Sequence, residues 1–118
     1  MAFDVAALTA AAGGSTNDSI RRQNLSAVLG LLHSEGSLSR AQLGTATRLN
    51  RSTITGLVAE LIERGLVEER GTAAPTGRAG RPTLDLHVNE SVAALSIRVE
   101  RSSITTALVG LGGVVHAR

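Results

Sequence analysis

The chain has no cysteine, no tryptophan, no tyrosine and a single phenylalanine, Phe3, in 118 residues. Without cysteine there is no disulfide, no thiolate zinc site and no thiol nucleophile within these residues. Without aromatics, any core must be built from Ala, Val, Leu and Ile, which belong to a hydrophobic fraction of 42%. No apolar run approaches the roughly 18 residues that suggest a membrane span. The N-terminal stretch MAFDVAALTAAAGG lacks the basic n-region of a secretory signal and carries Asp4 early. A cytoplasmic protein is the expectation. Lysine is absent too, so all 12 basic residues are arginines. A GC-rich coding sequence explains that equally well, and arginine usage by itself points to no ligand.

What is present is organised by charge. The net charge is only +2, but the arginines are not scattered evenly among acids. Between Gly36 and Ala59 stand Arg40, Arg48 and Arg51 with no acid. Between Gly71 and Leu84 stand Arg78 and Arg81, again with no acid. Glu60, Glu63, Glu68 and Glu69 lie between the two zones and read as a solvated face. Fixed positive charge without nearby acid suits an anionic partner.

Hydrophobic spacing supplies the elements. Residues 1–17 read as a flexible lead. From Asp18, the residues Ile20, Leu25, Val28, Leu29 and Leu32 recur at three- and four-residue steps, predicting a helix that Gly36 ends. Ser39 and Gln42 form a capping box ahead of a short helix over 40–47, which is expected to bury Leu43 and Ala46. After a tight turn with Leu49 pointing inward, Asn50 caps a third helix over 51–64. Its apolar stripe is Ile54, Leu57, Val58, Leu61 and Ile62. LVEE and TLDLHV then alternate like two strands, joined by a loop of glycine and arginine.

Helix, short helix, turn, helix and hairpin is the order of a winged helix-turn-helix, an α+β fold. The third helix would be a recognition helix in the DNA major groove. Opposite its apolar stripe lie Ser52, Gly56, Ala59 and Glu63, flanked by Thr53 and Thr55. Small side chains there let the helix approach the groove floor, and hydroxyls can bond base edges or phosphates. Arg51 adds charge at the helix start, where phosphate is already favoured. In the loop TGRAGRPTLDL, glycine, arginine and proline resemble the core of a minor-groove hook. Arg81 is the candidate for insertion and Arg78 for a phosphate contact. The candidate DNA-binding set is Arg40, Arg48, Arg51, Ser52, Thr53, Thr55, Arg78 and Arg81, with a wing over 71–82. The alternative reading of the loop is an interdomain linker.

The segments LSRAQLGTATRLNRSTITGLVAELIERGLVEE and GRAGRPTLDLHVN resemble the N-terminal region of the ROK family (repressors, open reading frames, kinases). The resemblance covers about residues 20–89. It implies a dimeric bacterial repressor whose winged helix binds palindromic operators. It also implies a large C-terminal domain of sugar-kinase fold that senses a sugar. Residues 18–89 are then the DNA-binding domain, and 90–118 the opening, truncated strands of the second domain, as a hairpin near 92–99 and 103–109 with GLGG turning toward a third strand. The phosphate loop of the kinase members is absent, RVERSS standing in its place. The family's His/Cys zinc motif would lie beyond Arg118. Such a severed segment is expected to be disordered or to pair with another copy, because its strand edges are unpaired. The chain itself is expected to be a monomer or a weak dimer.

No catalytic constellation emerges. His33, His87 and His116 are isolated in sequence, and GLGG is too short for a phosphate cradle. No cofactor, no metal and no enzymatic activity are expected. The expected partners are double-stranded DNA and a second copy of the chain, with a sugar effector only if a complete C-terminal domain exists. A winged-helix protein-interaction module, or a ROK remnant that does not bind DNA, is the alternative; the acid-free arginine zones argue against it. The missing phosphate loop argues against a sugar-kinase fragment.

Overall fold

The computed structural model describes residues 16–71 and 84–118. Three helices come first: α1 (Thr16–Glu35), α2 (Arg40–Thr47) and α3 (Arg51–Glu63). A two-residue strand, β1 (Ser37–Leu38), lies between α1 and α2. Strands β2 (Val67–Gly71) and β3 (Leu84–Val88) follow, then β4 (Ala93–Val99), β5 (Ile104–Gly110) and β6 (Val115–Ala117). The order is that of a winged helix-turn-helix followed by a second small sheet.

Local chemistry sets the helix boundaries. The Gln42 N–H donates to Ser39 Oγ and the Ser39 N–H donates to Gln42 Oε1, at 3.2 and 2.8 Å, so the capping box is formed in both directions. Asn50 Oδ1 accepts the Thr53 N–H at 2.8 Å and starts α3. The turn between α2 and α3 passes through Arg48 at φ 59°. A left-handed backbone costs an L-residue roughly 1–2 kcal/mol. Thr47 supports the turn by donating its hydroxyl to the Leu43 carbonyl at 2.7 Å.

The core is the aliphatic set that the absence of aromatics requires. Leu25, Val28 and Leu32 of α1 meet Leu43 of α2, Ile54, Leu57, Val58 and Leu61 of α3, and Val67, Leu86 and Val88 of the first sheet. Full burial of each such side chain stabilises by roughly 1.5–3 kcal/mol. Leu49 packs against this cluster from the turn. Ala46 does not: it is exposed, because α2 is only eight residues long and presents Leu43 inward. Ile20 and Ile62 also remain on the surface, at 48% and 36% exposure. Both lie at the edge of the apolar stripe rather than at its centre.

The first sheet has the order β1-β3-β2, all antiparallel. Ser37 faces His87 and Leu38 faces Leu86, while β2 and β3 run from Val67 opposite Val88 to Gly71 opposite Leu84. Sequence pattern does not reveal β1, since two residues carry no period to read. The loop between β2 and β3, with Arg78 and Arg81, lies outside the described residues.

The second sheet has the order β4-β5-β6. Its strands pair antiparallel from Ala93 opposite Gly110 to Val99 opposite Ile104, with an irregularity at Leu108/Val109 where β6 joins. The segment therefore folds as a three-stranded sheet rather than staying without fixed structure, and β4 and β6 form its edges. Each strand finds its partner within the segment. The third strand toward which GLGG turns is β6, paired with β5. The sheet also rests on the winged helix: Leu111 packs against the core, and the Gly112 N–H donates to His33 Nδ1 at 2.9 Å. One face, carrying Leu95, Ile97, Val99, Ile104 and Leu108, is exposed.

Candidate nucleic-acid interface

The candidate interface is built on α3, whose inner face is pinned by four buried aliphatics. That pinning turns the opposite strip outward. Arg51, Ser52, Thr55, Gly56, Ala59 and Glu63 are all exposed, while Thr53 on the flank is half-buried. From Arg51 to Ala59 the strip contains no acid.

The hydroxyls on this strip are not idle. Ser52 Oγ donates to Asn50 Oδ1 at 2.9 Å, joining the cap of the helix. Thr55 Oγ1 donates to the Arg51 carbonyl at 2.9 Å. Small residues and locally bonded hydroxyls give α3 a low, ordered outer surface.

The remaining candidate arginines are divided. Arg40 forms an ion pair with Glu69 of β2, tying the start of α2 to the base of the wing. Arg48 is exposed in the helix-turn-helix turn. Arg78 and Arg81 fall outside the described residues.

Sequence spacing misses one cluster beside the strip. Arg21 of α1 holds Glu60 through Nε at 2.8 Å and Nη2 at 2.5 Å, both on Oε2. Arg64 takes the other carboxylate oxygen, Oε1, at 2.6 Å. With Gly56, Ala59 and Glu63 these residues line a shallow depression along the outer side of α3. The hydrogen bond from Arg21 holds the Glu60 carboxyl below its ordinary value of 4.5, burial pushes it the other way, and Arg64 lowers it further. Glu60 and Arg64 are four apart on a helix and could be read from sequence. Arg21 is 39 residues away from Glu60, and no local pattern announces it. The acids therefore do not form one solvated face: Glu60 and Glu69 bind arginines from other elements, and Glu68 binds its strand neighbour Arg70.

The histidines, isolated in sequence, have partners in space. His33 Nδ1 accepts the Gly112 N–H at 2.9 Å, and His116 Nε2 lies 3.0 Å from the Glu90 carbonyl oxygen. Among the described residues no group of three or more His, Asp or Glu gathers as a metal site. No helix among them is long and apolar enough to cross a membrane.

A family model described as MarR family matches residues 20–79, a span that holds most of α1 and all of α2, α3 and β2. The chain belongs to the MarR family. Its relatives place this MarR-family chain with the ROK regulators that the sequence resembles. It is 31% identical over 101 residues to the N-acetylglucosamine repressor of Escherichia coli O157:H7, covering 85% of this chain and 24% of that protein. It is 36% identical over 92 residues to the DNA-binding transcriptional repressor Mlc of Escherichia coli K12, covering 77% and 22%. A crystal structure of a ROK family transcriptional regulator, a homologue of E. coli Mlc, superposes with a TM-score of 0.62 at 32% identity. That match covers 83% of this chain and 25% of the other. The chain thus spans about a quarter of the length of the relatives it matches.

Proposed function

We propose that this chain is the DNA-binding portion of a transcriptional regulator, a repressor of carbohydrate-related genes, acting in the cytoplasm by binding rather than by catalysis. α3 enters the major groove, and the wing over 71–82 reaches the minor groove or the backbone. The observation that carries this reading is the exposed, acid-free strip from Arg51 to Ala59 on a helix whose opposite side is fully engaged in the core. A helix pinned on one side and small and polar on the other is shaped for a groove. The named functions of the relatives, transcriptional repression and DNA binding, support it.

Roles divide by chemistry. Arg51, Arg48 and Arg40 supply charge for phosphates. Arg40 does so while shared with Glu69. Ser52, Thr53 and Thr55 lie where base edges pass. Arg78 contacts phosphate and Arg81 enters a narrow minor groove, where negative potential is enhanced. The operator is palindromic and read by two copies, with half-sites about 34 Å apart or a multiple of it. A sugar effector belongs to a C-terminal domain such as the longer relatives have room for.

A mobility-shift titration of the full chain against the DNA upstream of its own gene, at two salt concentrations, tests the reading. Affinity should fall steeply with salt, the slope growing by about 0.9 per phosphate neutralised. Arg51→Ala should lower the slope by about one contact. Binding that is absent, or flat across salt, contradicts the proposal.

A further inference from the structure

Ser52 and Thr55 each carry one hydroxyl hydrogen and two acceptor lone pairs. Where that hydrogen points follows from the heavy atoms. Thr55 Oγ1 lies 2.9 Å from the Arg51 carbonyl oxygen. A carbonyl only accepts, so the hydrogen belongs to Thr55 and points back into the helix. Ser52 Oγ lies 2.9 Å from Asn50 Oδ1. That atom also receives the Thr53 backbone N–H at 2.8 Å. An amide nitrogen could not accept it, so the atom is the carbonyl oxygen and Ser52 is again the donor. Both side chains are exposed, and both face outward with lone pairs alone to offer.

We infer that Ser52 and Thr55 are acceptor-only specificity residues, which read the exocyclic amino group of a base in the major groove: N6 of adenine or N4 of cytosine. The inference rests on the proposed DNA-binding reading. In the major groove those two amino groups are the hydrogen-bond donors, whereas guanine O6 and N7, adenine N7 and thymine O4 are acceptors. An acceptor edge meeting Ser52 or Thr55 sets lone pair against lone pair unless the hydroxyl abandons its internal bond. An amino group leaves that bond in place. At Ser52 it also extends a chain: base N–H to Ser52 Oγ, Ser52 O–H to Asn50 Oδ1, the cap held by Thr53. Hydrogen bonds so linked polarise and strengthen one another. Phosphate oxygens, pure acceptors, are excluded for the same reason. The two hydroxyls are therefore separated in role from Arg51, which stands next to Ser52 and only donates.

The test uses the full chain and randomised duplex DNA. Binding-site selection with the parent, Ser52→Ala and Thr55→Val locates the base pair whose preference each variant loses. At that pair, adenine is replaced by its amino-free analogue, 2′-deoxynebularine, or cytosine by 2-pyrimidinone. In separate duplexes a 7-deazapurine removes the N7 acceptor. The expected result is that loss of the amino group weakens the parent by roughly 2- to 13-fold, the range one neutral hydrogen bond controls. The matching variant should be unmoved, and the 7-deaza change should leave the parent's affinity as it was. The inference is overturned if the 7-deaza change weakens the parent and not the variant, or if both variants keep the parent's consensus. In either case DNA binding itself stands. A parent that enriches no sequence overturns the DNA-binding reading and this inference together.

Discussion

His33 on α1 accepts the Gly112 backbone N–H at 2.9 Å, a hydrogen bond between residues 79 positions apart in sequence. It joins the helical layer to the turn between β5 and β6. Gly112 sits at φ 91°, and a Cβ there would lie 3.3 Å from Val88 Cγ2. Leu111 beside it packs against the core. The second sheet is thus held on the winged helix by one polar and one apolar contact at a single turn. His33→Ala should remove the acceptor and cost about 0.5–1.5 kcal/mol. Amide exchange at Gly112 should accelerate while the amides of α3 keep their protection. Unchanged exchange at Gly112 would show that the bond does not secure the turn.

Leu43 is the inward anchor of the eight-residue α2 and is fully buried. Leu43→Ala should destabilise by about 2–5 kcal/mol. Ala46→Ser, one turn further on at an exposed position, should change stability by less than about 0.5 kcal/mol. Urea midpoints of the two variants check the contrast, and near-equal losses would contradict the packing described.

Ser39 and Gln42 satisfy each other's backbone N–H groups at the start of α2. Ser39→Ala should lower stability by about 1 kcal/mol. Gln42→Ala on the Ser39→Ala background should add less than it costs alone, because the two halves form one unit. A double-mutant cycle by thermal melts reads the coupling; strict additivity would contradict it.

Arg48 holds a left-handed backbone in the turn ahead of α3. Arg48→Gly should relieve that strain and raise stability by on the order of 1 kcal/mol. It should also weaken DNA binding by removing a charge near the strip. Stability and affinity would move in opposite directions. A variant that melts lower than its parent would show that the turn gains more from the Arg48 side chain than its backbone loses.

Glu60 is held below its ordinary carboxyl value of 4.5, chiefly by the Arg21 hydrogen bond and then by Arg64. The stabilisation is therefore present above the unfolded value and lost as pH falls through the lower folded value. Glu60→Gln should be less stable than the parent near neutrality. The gap should close as the pH drops below about 4.5, toward the lowered folded value. Urea unfolding of both proteins across that window measures it. A gap constant with pH would mean that the carboxylate charge does nothing for the fold.

Much of this protein is written along the chain. Three- and four-residue spacing marks α1 and α3, and the Ser39–Gln42 pair and Asn50 mark where α2 and α3 begin. These signals are local: a period or a cap lies within a few residues of its effect. The strip of Arg51, Ser52 and Thr55 is legible for the same reason, since knowing which side of a helix is apolar tells which side is not. The tertiary structure decided what no local window contains. β1 exists because β3 passes beside Ser37 and Leu38, not because two residues prefer a strand. Glu60 is clamped because α1 brings Arg21 across to α3, and Arg40 is shared with Glu69 because β2 returns beside α2. The residues 90–118 form a paired sheet because β4, β5 and β6 meet one another and seat Leu111 and Gly112 on the core. Even the direction of the Ser52 hydroxyl required the geometry. Spacing says that the side chain faces outward, but only the shared contact at Asn50 Oδ1 says that it faces outward with its lone pairs.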